Sequence, residues 1–181
     1  MKFKTWLNED QQEIPDAKSF AYIGCVLHRH SQIELLNTID QWMGGGLPRR
    51  NWTGRCHHMT NFPPGQFKQE NMATLPWGED VQLNITGWAA DQYGVTATVK
   101  PAQNVPFASG QTPHITVAHS FEVKPVYSIS LLGEPGKWKP SPFSLTVTSY
   151  FLGVMHNQTS VWPAMGSLLL ASPSIPLGGE Y

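Results

Sequence analysis

Charge is what this sequence has least of. Only 14% of its residues are Asp, Glu, Lys or Arg, against the roughly one quarter usual in globular domains. The two signs nearly cancel, leaving a formal charge of −1. Such a surface has no strong field for a nucleic-acid backbone or an anionic bilayer, which excludes a general RNA- or DNA-coating protein. A small phosphorylated ligand needs only a few local donors and stays open. Cysteine is nearly missing too. Cys25 and Cys56 stand in no metal-like spacing and are too few for a disulfide framework, so a reducing compartment, the cytoplasm, is expected. No run approaches the roughly 20 apolar residues that span a bilayer. The opening MKFKTWLNEDQQEIPDAK has no signal-peptide core, and no membrane association is expected.

Repeats of fixed period and low-complexity linkers are absent as well. At 181 residues the chain fits one domain, or one compact domain of two lobes. The expected division is a polar leader over 1–18, one domain over 19–155, and an irregular Pro- and Gly-rich tail over 156–181. Phe20–Leu27 (FAYIGCVL) reads as a buried strand. Ser31 and Glu34 form an S-x-x-E capping pair, Leu35, Leu36, Ile39, Trp42 and Met43 follow at helical spacing, and Gly44–Gly46 stops the helix.

Thr53–Asn61 reads as one strand, ended by Pro63, Pro64 and Gly65, with an irregular stretch over Gln66–Glu79. Val81, Leu83 and Ile85 alternate with polar residues, as do Val95, Ala97 and Val99, and Asp91–Gly94 between them marks a hairpin. After a loop over Pro101–Thr112, strands are expected over His114–His119, Val126–Leu132 and Phe143–Val154, with turn-rich Gly133–Pro142 between the last two. One firm helix among many short strands predicts an α+β fold with antiparallel sheet.

Two of those strands share a three-residue frame. CHHMTN contains His58-Met59-Thr60, and TPHITVA contains His114-Ile115-Thr116. On a strand, residues i and i+2 project from one face, so His58 and Thr60 look the same way, as do His114 and Thr116. Met59 and Ile115 turn into the core. If the two strands face each other, two imidazoles and two hydroxyls converge, a set suited to a phosphodiester. One neutral imidazole takes a proton from the attacking group and the other, protonated, gives one to the leaving oxygen. The threonine hydroxyls hold the non-bridging oxygens. This chemistry needs no metal or other cofactor. The plain alternative is two ordinary strands, since Thr favours strands and His is tolerated there.

The paired His-x-Thr frames resemble the signatures of the 2H phosphoesterase superfamily, related to the LigT-type RNA cyclic phosphodiesterases. FAYIGCVL with its following helix is similar to the opening unit of that fold. VQLNITGWAADQYGVTATVK resembles its intervening strand pair, and KPVYS and KWKPSPFSLTVTSYFLGV the segment after the second motif. The resemblance implies a bilobal α+β fold, two antiparallel sheets around a central groove with flanking helices. It implies His58 and His114 as the acid/base pair and Thr60 and Thr116 as phosphate holders. Some phage members, the anti-CBASS group, cleave cyclic nucleotide immune messengers. The expected substrate is accordingly a cyclic nucleotide or cyclic oligonucleotide, in a host cytoplasm if the protein is viral. Opening of 2′,3′-cyclic phosphate RNA ends is the alternative, and a nucleotide-binding module without catalysis the alternative of another class. The two motifs lie closer together than in typical LigT enzymes, so the substrate-binding loops must differ.

Among the neighbours, Tyr22 and Tyr127 are candidates to stack on a base, and Lys124 to place a cation near the phosphate. Strand parity turns His57, Arg55 and His119 away from the site. A zinc site through Cys56, His57, His58 and His114 is disfavoured because adjacent residues splay apart on a strand.

Overall fold

The computed structural model describes residues 13–47, 51–110, 112–156 and 161–163. Its path begins with β1 (Phe20–Leu27) and α1 (Arg29–Trp42), followed by β2 (Trp52–Gly54) and β3 (His58–Phe62). A hairpin of β4 (Asp80–Ala90) and β5 (Gly94–Pro101) leads to β6 (His114–Ser120). A short helix, α2 (Tyr127–Gly133), then precedes the long β7 (Trp138–Met155) and β8 (Val161–Trp162).

The fold is mixed α+β, mostly antiparallel sheet with few helices. The strands pair in the order β1-β3-β6-β5-β4-β7, and β7 returns to pair with β1, so six strands close a barrel. The length of β7 makes closure possible: its first part runs along β4 and its second part along β1. Buried and less buried positions alternate along β3, the first half of β4 and Val147–Phe151 of β7, as a barrel wall requires. Met59, Leu83, Ile115, Val147 and Phe151 are fully buried, each such apolar side chain contributing about 1.5–3 kcal/mol. Gly24, where any Cβ would collide with the Met59 carbonyl, lets β1 close against β3.

α1 covers the barrel with Leu35, Leu36 and Ile39, and Gly44 and Gly45 end it at positive φ, as expected. The predicted cap is not used. His28 is the N-cap, and the Ser31 hydroxyl instead accepts from the Thr148 amide at 3.0 Å, fastening the helix to β7. Four further sequence expectations change. Thr53–Asn61 is two strands rather than one. Val126–Leu132 is not a strand; the helix α2 stands there, with Ser128 and Leu131 buried beneath it. β7 begins at Trp138, within the stretch expected to be turns. Val161 and Trp162, in the expected irregular tail, add a short strand to β7. Residues 1–12 of the leader, 48–50 of the loop after α1, and Pro173 and Pro176 of the tail lie outside the described residues.

Two ties hold α2 over the outer face of β5 and β6. The Tyr127 hydroxyl donates to the Asp91 carboxylate at 2.5 Å, and its ring lies on Gly94. The same carboxylate accepts from the Tyr93 and Gly94 amides, closing the hairpin turn. The second tie joins Ser128 to Thr116.

Candidate active site

β2 and β3 both pair antiparallel with β6, but in different registers. Gly54 lies opposite Ala118, and Met59 opposite Ile115. Five residues are traversed on one strand against three on the other, so two residues bulge out between β2 and β3. Cys56 takes the strain there, with φ at 44°, a left-handed conformation rare for a residue with a side chain. The Arg55 and Cys56 amides nevertheless donate to the Val117 and Thr116 carbonyls, so the bulge stays fastened to β6.

Beyond the bulge, the Met59–Ile115 register sets His58 opposite Thr116 and Thr60 opposite His114. The two His-x-Thr frames are neighbours in one barrel wall, running head to tail. All four side chains line a cleft of about 390 Å³ on the outside of the barrel, together with Tyr22, Arg55 and His57. Pro63 and Pro64 close one rim, and Pro125, Val126 and Ile129 the other. A smaller hollow of about 270 Å³, lined by Thr98, Thr112 and Leu132 among others, meets the cleft at His114 and Ile129.

On the β3 side the groups are crowded. The Tyr22 ring stacks on His58 with centroids 4.2 Å apart and planes 20° from parallel. His57 Nδ1 lies 3.1 Å from His58 Nδ1 and a long 3.5 Å from the Tyr22 hydroxyl. Burial keeps the Tyr22 phenol protonated by raising its pKa, so its hydroxyl can donate. With Tyr22 donating to His57 Nδ1, the assignment that also meets the second contact has His58 Nδ1–H donate to the same nitrogen and leaves His58 Nε2 as a lone pair. Burial, reinforced by His57, His114 and Arg55, pushes His58 down to about 3, and burial with Arg55 pushes His57 down to about 4. Both imidazoles are therefore neutral at pH 7. The Thr60 hydroxyl makes no hydrogen bond among the described residues and is free to donate.

The β6 side is anchored instead. His114 Nδ1–H donates to the Thr112 carbonyl at 2.8 Å, which leaves Nε2 for the cleft. The Thr116 hydroxyl is 2.9 Å from the Ser128 hydroxyl and 3.3 Å from the Pro125 carbonyl, so its proton is already engaged in holding α2.

The structure thus brings together five of the seven candidates: His58, His114, Thr60, Thr116 and Tyr22. Lys124 is exposed and does not line the cleft, although Pro125 and Val126 beside it do. Tyr127 is turned to Asp91 and Gly94 and supports α2 rather than the cleft. Arg55 and His57 correct the parity argument. The bulge turns both into the cleft, because strand alternation does not run through it. His57 and His58, adjacent in sequence, converge instead of splaying. The signal for this is Gly54, since a glycine inside a strand pattern marks a bulge. His119 is structural, as its parity predicts: it is buried, donates to the Ser120 carbonyl at 2.8 Å, and accepts from Arg55 Nε at 3.1 Å. Among the described residues, no three His, Cys, Asp or Glu side chains are grouped to share a metal ion. The Cys56 thiol is buried against the Val117 carbonyl, and no described helix is long and apolar enough to cross a membrane. No protein-family model matches the sequence, and no curated protein matches it.

Proposed function

We propose that this protein is a phosphodiesterase of the 2H type that cleaves a cyclic nucleotide or cyclic oligonucleotide by proton transfer between two histidines. The observation that carries the reading is the head-to-tail pairing of the two His-x-Thr frames, with all four side chains on one cleft. In the proposed step, His58 Nε2 takes the proton of the attacking water as its oxygen bonds to phosphorus. His114 Nε2 gives a proton to the leaving oxygen as the old P–O bond breaks. The His114 Nδ1–H stays on the Thr112 carbonyl throughout, so the ring keeps its orientation in either protonation state. The Thr60 hydroxyl holds a non-bridging oxygen and favours in-line attack.

The bilobal architecture belongs to the same proposal. β3, β1 and the second part of β7 form one half, and β6, β5 and β4 the other, with the site at the seam. Two hollows meeting at His114 favour a phosphodiester with an arm on each side over a terminal phosphate. The near-zero net charge favours a small substrate over long RNA.

The test is incubation with 2′,3′-cGAMP, 3′,3′-cGAMP and an RNA ending in a 2′,3′-cyclic phosphate, all in EDTA. Cleavage of a cGAMP that is lost in both His58→Ala and His114→Ala is the expected result. Cleavage of the RNA end alone selects the repair reading. Full activity in either variant, or activity abolished by EDTA, overturns the two-histidine mechanism.

A further inference from the structure

Arg55 is the one permanent cation lining the cleft, and no carboxylate is paired with it among the described residues. It reaches the cleft only because of the two-residue bulge. Its Nε–H donates to His119 Nε2, and the His119 ring is itself fixed by the Ser120 carbonyl. A guanidinium carries five N–H donors. Only this one is bonded among the described residues, which leaves the terminal amino groups unengaged. A half-buried cation deprived of part of its water and given no counter-charge is costly unless an anion occupies the space beside it. Burial lowers the Arg55 pKa, in keeping with that cost.

We propose that Arg55 is the charge seat of the cleft, its free guanidinium edge holding a non-bridging oxygen of a phosphodiester monoanion, with His119 as the residue that positions it. The hydrolytic role of this seat rests on the reading above; its anion binding does not. The charge count sets the ligand class. The cleft offers one permanent positive charge, Arg55, beside His57 and His58, which are held neutral, and it balances one negative charge. A phosphomonoester dianion would bring a second charge with no permanent partner in a partly desolvated space. Arginine suits the task because its planar fork offers two parallel donors to one phosphate group. Thr60, further along β3 from the bulge, then completes the cradle, while Thr116 stays with α2.

The experiment follows anion binding through the histidine ring resonances in NMR, which suits weak ligands. Dimethyl phosphate, a monoanion, is compared with inorganic phosphate at pH 8, where it is mostly dianionic. The wild-type chain should bind dimethyl phosphate more tightly than inorganic phosphate. Arg55→Gln should weaken dimethyl phosphate at least tenfold, and Arg55→Lys should recover part of the loss. His119→Asn should raise KM for the cleaved substrate severalfold with kcat nearly kept, a split that lost stability alone would not produce. Arg55→Lys, which keeps the charge, carries the test if Arg55→Gln does not fold: lysine binding as tightly as arginine overturns the fork geometry. Undiminished binding in Arg55→Gln, tighter binding of inorganic phosphate, or no binding of either anion by the wild type overturns the proposal. Arg55-dependent binding without any hydrolysis would retain the charge seat and remove the phosphodiesterase reading. Hydrolysis indifferent to Arg55→Gln would retain the phosphodiesterase reading and remove the seat's part in the reaction.

Discussion

The two histidine frames are alike in sequence and unlike in support. On β3, His58 is held by other side chains: Tyr22 stacked on its face and His57 against its Nδ1. On β6, His114 is held by a main-chain carbonyl, and Thr116 is spent on fastening α2. The first arrangement removes water and charge from its imidazole. The second fixes ring orientation without removing the proton path. In the proposed reaction, a pair of identical motifs would draw two different tasks from these different surroundings.

The largest effect should come from removing either imidazole. His58→Ala and His114→Ala should each lower kcat by roughly 10²–10⁴, and the double variant should lose little more than the worse single one. Additive losses, measured by single-turnover kinetics, would mean that the two rings do not serve one step.

Acid should expose the β3 side. His58 stays unprotonated in the folded state down to about 3, whereas the unfolded chain takes up the proton near the ordinary imidazole value of about 6.5. Between those values the unfolded state binds more protons. Stability is therefore complete above pH about 6.5 and falls as pH drops toward 3, by on the order of 3–5 kcal/mol. Denaturant melts at pH 7 and pH 4 measure this. His58→Asn, which cannot titrate, should reduce the dependence to the part that His57 contributes; an unchanged slope would show that the ring is not desolvated.

The threonines sharpen the contrast further. Thr60→Val should cut kcat by about tenfold or more with little change in melting. Thr116→Val should instead cost about 1 kcal/mol of stability, by leaving Ser128 and the Pro125 carbonyl without their partner. Equal effects on kcat would restore a symmetric phosphate clamp. The smallest change belongs to Tyr127→Phe, about 0.5–1 kcal/mol from the partly exposed bond to Asp91. A KM raised a few-fold as α2 loosens should accompany it, and a changed kcat would count against its distance from the chemistry.

Local patterns were legible wherever a single strand or helix decided them. FAYIGCVL is β1 to the residue, and the period-two placement of Met59 and Ile115 inside and of His58, Thr60, His114 and Thr116 outside holds. Features decided by a partner strand were not. Arg55 and His57 enter the cleft through a register slip against β6, which no alternation within CHHMTN encodes. VYSISLL has the apolar, β-branched look of a strand, but docking of Tyr127 and Ser128 on the barrel makes it helical. Ser31 has the sequence of a cap and is recruited by Thr148 instead.

The strained bulge also supplies a reporter that needs no engineering. Cys56 within it and Cys25 on β1 flank the β3 strand, and both thiols are fully buried. Burial drives the Cys56 thiol upward and the Cys25 thiol up to about 12, so neither forms a reactive thiolate while the barrel is shut. Alkylation of each must wait for a local opening, and its rate measures how often that opening occurs. A difference between the two rates would time the seam beside His58 separately from the strand behind it. A ligand seated in the cleft should slow Cys56 before it slows Cys25, turning a sulfur with no part in the chemistry into a clock for occupancy of the site.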